Sequence, residues 1–190
     1  MYCKKIPLTT EQRPVYTPAR VWCLAFVLLV ACFSKIRAQQ ADVQFNVVLA
    51  NVQSISVNQN QTNVSIVLDE TSEFMNGKTA SKNDHLQITS TSDYEIKVSA
   101  SSQLQGSSVS IPVNTVGISA SLGNVGGVPA SPIVFSDIDL STNQQTIVQA
   151  GQGDAQRSFN IEYAVSGGPD YLNKPMGTYT TTITYSILPN

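Results

Sequence analysis

The sequence predicts an all-β protein: an immunoglobulin-like antiparallel β-sandwich of about eight or nine strands, with a small β-barrel as the alternative. Three observations predict it. Apolar and polar residues alternate in run after run from Val43 to Ile187, the period of a half-buried strand. Turn-forming clusters separate the runs, such as Asn58-Gln-Asn60, Asn76-Gly77, Gly123 to Gly127, Gly151 to Asp154 and Gly167 to Asp170. No stretch after residue 38 sustains a 3.6-residue period. The immunoglobulin Cys…Trp…Cys signature is missing, so the kinship is one of architecture.

The first element is a leader, residues 1–38, followed by a single domain over 39–190. Lys4, Lys5, Arg13 and Arg20 precede an apolar run of thirteen residues, Val21 to Phe33. That is too short to cross a bilayer, which needs about 20. Basic residues, a short apolar core and a small-residue site read as a secretory signal peptide cut after Ala38. Leu29-Val30-Ala31-Cys32 also resembles the lipobox of bacterial lipoproteins, which makes Cys32 a candidate lipidation site and a lipid anchor the alternative. Either route places the protein in the periplasm, on the cell surface or outside the cell.

Removing the leader changes the chemistry. Cys3, Cys23, Cys32 and Trp22 all lie in it, so the mature chain has no disulfide and no metal thiolate. Of the charged residues, 5 basic and 12 acidic remain, and 5 − 12 gives a net charge of −7. Such a surface repels phosphate backbones and excludes nucleic acid as a partner. The remaining 152 residues suffice for one disulfide-free core.

The strands follow in order. Val43, Phe45, Val47 and Leu49 share one face of the first run. Ile55 and Val57 come next, then Val64, Ile66 and Leu68, then Leu86 and Ile88. Tyr94, Ile96 and Val98 alternate with Glu95, Lys97 and Ser99. Val109 to Val113 and Val116 to Ile118 are short runs, and Ile133 to Leu140 is broken by Ser136-Asp137. Phe159, Ile161, Tyr163 and Val165 alternate with polar residues. The last run, Thr178 to Leu188, puts Tyr179, Thr181, Ile183, Tyr185 and Ile187 on one face. It would extend about 36 Å.

Two long loops are expected, Asp69 to Asp84 around Phe74 and Met75, and Gly167 to Pro175 around Tyr171. Phe74 and Tyr171 either contact a ligand there or plug the ends of the core. Catalytic constellations are not found. The one histidine, His85, is expected at the surface or at a strand start, since its neighbour Asp84 would face the opposite way. Asp137-Ile-Asp139 sets two carboxylates about 7 Å apart on one strand face, which reads as a solvated acidic face. No cofactor or metal is expected. Tyr94, Tyr163, Tyr171, Tyr179 and Tyr185 are the residues that a carbohydrate-binding module could use for stacking.

Gly177-Thr-Tyr179-x-x-x-Ile183-x-Tyr185-x-Ile187-Leu188 resembles the closing strand of small bacterial surface β-sandwiches. These are the spore-coat-U-like and fimbrial subunits and the WxL domains. Tyr185-Ser-Ile187 stands where the latter have their tryptophan. The resemblance covers about twelve residues besides length, leader and composition. It implies an exported, non-enzymatic structural or adhesive subunit whose partners are envelope or pilus subunits or a surface glycan. In chaperone–usher fibres an alternating N-terminal segment completes the sheet of the next subunit. Val43, Phe45, Val47 and Leu49 suit that strand exchange; the other reading makes 41–49 the first strand of its own sandwich.

Overall fold

A computed structural model describes residues 39–190; the signal peptide expected over 1–38 and the candidate lipidation site Cys32 lie outside the described residues. The chain divides into a unit ending at Val47 and a unit from Val48 to Asn190. In the first, residues 39–47 have no regular structure and are exposed. Gln40 Nε2 donates to Asp42 Oδ1 (3.4 Å) and Gln44 Nε2 to Asn46 Oδ1 (3.5 Å).

The second unit runs β1 (Gln53–Val57), α1 (Thr71–Asn76), β2 (Lys78–Ser90), β3 (Tyr94–Ala100), β4 (Leu104–Gln105), β5 (Ser110–Ile111), β6 (Val116–Leu122), β7 (Ile133–Phe135), β8 (Ile138–Asp139), β9 (Gln145–Ala150), β10 (Asp154–Val165) and β11 (Ile183–Pro189). One sheet has the order β1-β2-β10-β6-β8, the other β11-β3-β9-β7, and β4 and β5 form a small separate pair. Every ladder is antiparallel. The all-β sandwich expected from the alternation is therefore the observed architecture.

The core is the shared apolar face of the two sheets. Ile96 and Val98 of β3 meet Leu86, Phe159 and Ile161 of the opposite sheet in one cluster, all fully buried. Phe135 and Phe159 interlock edge to face across the sheets, ring centres 6.1 Å apart at 71°. Each such side chain contributes about 1.5–3 kcal/mol by leaving water. On the outer face of β3, Lys97 pairs with Glu95 at 2.8 Å, as its alternation demands.

Several elements depart from expectation. Residues 41–49 do not form a first strand; none of them joins a ladder, and the first paired residue is Gln53. Asp69 to Asp84 is not one loop. Glu70 and Glu73 close a capping box on α1, Gly77 turns the chain at φ 82°, and β2 begins at Lys78. The start of β2, Lys78 to Asn83, has no large apolar residue on either face, so no alternation marks it. Val64 and Ile66 do pack against the core, but their segment pairs with no strand.

Ile133 to Leu140 is two short strands in different sheets, with Ser136-Asp137 as the crossover. β9 has no alternation because Ile147 is an extra residue: Thr146 opposes Lys97 and Val148 opposes Ile96. This bulge buries both Ile147 and Val148. The terminal run breaks at Thr181 and Thr182. Thr180 instead exchanges two backbone hydrogen bonds with Gln105 (2.8 and 3.0 Å), so β11 holds only seven residues.

Candidate functional site

The residues proposed from sequence for strand exchange are among the most exposed apolar side chains described, with Val128 and Met176. Val43 is 90% exposed, Phe45 85%, Val47 67% and Leu49 91%, with Val48 between them at 89%. Residues 43–49 thus carry a strand's alternation and contiguous exposed apolar side chains without regular structure. The segment's other face carries the polar Gln44 and Asn46 and ends in the apolar Val48.

Phe74 and Tyr171 are brought together, both half-buried. Gly168 N donates to Phe74 O (2.7 Å) and Tyr171 N to Gly168 O (3.1 Å). Thr115 Oγ1 donates to Pro112 O (2.6 Å), so the Tyr171 hydroxyl donates to Thr115 Oγ1 (2.6 Å). A Cβ on Gly167 would lie 2.6 Å from Gly77 N and 3.0 Å from Phe74 O, which explains the glycine. Beside them Lys78 pairs with Glu73 and holds its carboxyl down at about 2.

His85 is not at the surface. It is 2% exposed in the middle of β2 and belongs to a hydrogen-bonded chain that joins the sheets. Gln61 Nε2 donates to Asn83 O (3.0 Å), which turns Gln61 Oε1 to His85 Nδ1 (2.9 Å). An amide oxygen only accepts, so Nδ1 carries the proton. Nε2 therefore accepts from the Tyr163 hydroxyl (2.9 Å), and the Tyr163 oxygen accepts from the Tyr185 hydroxyl (2.7 Å). Burial, aided by the nearby Lys82 charge, lowers the His85 pKa and keeps the ring neutral. Burial pushes the Tyr163 phenol up to about 12 and that of Tyr185 further.

Asp84 turns away, as its position predicts, at a bulge with φ 50°. Its carboxylate accepts from Ser158 Oγ (2.5 Å) and from the backbone and side-chain amides of Asn124 (2.7 and 2.8 Å). The Ser158 hydroxyl comes first among the bonds that lower its pKa. Asp84, His85 and Ser158 thus belong to two separate networks, and Ser158 Oγ is bonded to Asp84 rather than to the imidazole.

Arg157 is the functional-looking residue that sequence reasoning missed. It is 1% exposed. Its guanidinium pairs with Asp154 Oδ1 (2.8 Å) and donates to Gly127 O and Gly126 O (both 3.1 Å). The Tyr94 hydroxyl donates to Asp154 Oδ2 (2.9 Å). Gly126, at φ 105°, leaves room for this contact, since a Cβ there would sit 3.0 Å from Arg157 Cζ. The signal was present: Arg157 has the parity of Phe159 and Ile161, the buried face of β10.

The tyrosines offer little to a sugar. Tyr94 and Tyr163 are buried, Tyr171, Tyr179 and Tyr185 half-buried, and each hydroxyl bonds within the protein. Asp137 and Asp139 are exposed. An open depression of about 610 Å³ lies between Ser90–Asp93 and Gly151–Gly153; it is lined by small polar residues. Among the described residues, no three His, Cys, Asp or Glu side chains converge on a metal-sized space, and no helix is long and apolar enough to cross a membrane. No protein-family model matches the chain, and no curated protein matches it in sequence.

Proposed function

We propose that the chain is an exported, non-enzymatic surface subunit of fimbrial-like structural or adhesive type. It acts at the bacterial envelope and joins neighbouring subunits through residues 43–49. One observation carries this reading: four alternating apolar side chains, Val43, Phe45, Val47 and Leu49, stand 67–91% exposed in a segment without regular structure. Burying each in a partner would yield about 1.5–3 kcal/mol before the cost of association. The leader supports the address, and the shared surface-protein resemblance of the last strand supports the class.

The test is deletion of residues 39–50. The full chain and the deletion variant are produced in an exporting bacterial host and compared by size-exclusion chromatography, electron microscopy and circular dichroism. The reading expects assemblies from the full chain, and a monomer of unchanged β-sheet content from the variant. A full chain that stays monomeric and binds no envelope protein contradicts it.

A further inference from the structure

The five-stranded sheet has an edge that opens part-way along a strand. β1 covers β2 only from Leu86 to Ser90, whereas β10 lines its other side from Lys78 onward. Among the described residues, no backbone group pairs with the side of Lys78–Asn83 that faces away from β10. Unpaired donors and acceptors along a strand are a template for another strand.

The chain's own covering of this edge is incomplete. After β1 it runs past the edge from Asn83 to Lys78, held by side chains at both ends. Gln61 Nε2 donates to Asn83 O (3.0 Å) and Lys78 Nζ to Val67 O (2.9 Å). Between these points Val64, Ile66 and Leu68 are half-buried while Ser65 and Val67 are exposed. That is a strand's alternation, yet among the described residues no backbone-to-backbone hydrogen bond forms from Thr62 to Leu68. The segment shields the core and leaves the sheet open.

We infer that the edge of β2 from Lys78 to Asn83 accepts residues 43–49 of a second copy as an added strand. This rests on the function proposed above. The arm matches the edge on both faces. Val43, Phe45 and Val47 repeat the alternation of Val64, Ile66 and Leu68, which now cover that part of the core. Gln44 and Asn46 would fall beside the exposed Thr79, Ser81 and Asn83, where amides and hydroxyls can bond across strands. Residues 39–50 contain neither proline nor glycine, so every arm residue can donate to a ladder. Edge and arm each extend about 20 Å.

Hydrogen exchange read by mass spectrometry tests the pairing. The full chain is compared with a Phe45→Asp, Val47→Asp variant, whose changes lie outside the sheets and leave the sandwich intact. At concentrations where the full chain assembles, amides within Lys78–Asn83 are expected to exchange at least tenfold more slowly than in the variant. Assembly without that protection, or with new protection at Ile133–Phe135 or Ile183–Pro189 instead, overturns this edge as the acceptor while leaving assembly through the arm standing. Folded chains that never assemble overturn both.

Discussion

Two buried polar groups decide most at the residue scale. The direction of the Tyr185–Tyr163–His85 chain makes its two hydroxyls unequal. Tyr163→Phe strands the His85 Nε2 acceptor and the Tyr185 donor together, and is expected to cost about 1–3 kcal/mol. Tyr185→Phe leaves Tyr163 still donating to His85, and is expected to cost about 0.5–1.5 kcal/mol. Urea denaturation of both variants checks the order, and equal losses would contradict the assigned tautomer. Arg157→Ala empties a fully buried site and leaves the half-buried Asp154 without its cation and two glycine carbonyls without donors. It is expected to cost about 3–5 kcal/mol by the same measurement.

His85 also sets a pH dependence. Its folded pKa lies below the ordinary 6.5, so the unfolded chain binds the proton first as pH falls. Stability is then full above about pH 6.5 and is lost as pH drops through the folded pKa. The lowered carboxylates, Glu73, Asp84 and Glu95, act in the same direction but only below their ordinary 4.5, 3.8 and 4.5. Between pH 7 and 5.5 the histidine is therefore the main source of any fall in melting temperature. His85→Gln is expected to flatten the curve in that window; an unchanged slope would point to another group.

At the scale of elements, legibility in the sequence followed one physical condition. Strands whose inward residues are apolar and whose ladder is regular could be read directly, as β3 from Tyr94, Ile96 and Val98 and β10 from Phe159, Ile161 and Tyr163. β9 was hidden because the bulge at Ile147 cancels its period. The first half of β2 was hidden because Lys78, Ala80 and Lys82 do not contrast with Thr79 and Ser81. The break at Thr181–Thr182 was hidden because the alternation of the terminal run continues through it while the partner strand changes. Alternation reports which way side chains point and not whether a neighbour is present, so 41–49 and 62–68 read as strands without being paired. The site was legible in part: Val43, Phe45, Val47 and Leu49 were identifiable, whereas the open edge of β2 exists only in the fold. Gly77 ties α1 to β2 at positive φ against Val165 O. Gly77→Ala is expected to lower the urea midpoint by an amount worth about 1–3 kcal/mol.

On the scale of the whole molecule, a closed core is bordered by an unclosed sheet edge. The two sheets bury their apolar faces, the polar networks of His85, Asp84 and Arg157 are satisfied almost throughout, and no open cleft gathers reactive groups among the described residues. Apolar surface is left over in one place of matching pattern, residues 43–49. The central claim is that this segment joins subunits. Sedimentation velocity of the exported full chain, over a hundredfold range of concentration and beside the Phe45→Asp, Val47→Asp variant, tests it most directly. Concentration-dependent oligomers are expected for the full chain and a single monomer boundary for the variant at every concentration. Identical boundaries for the two chains would contradict it.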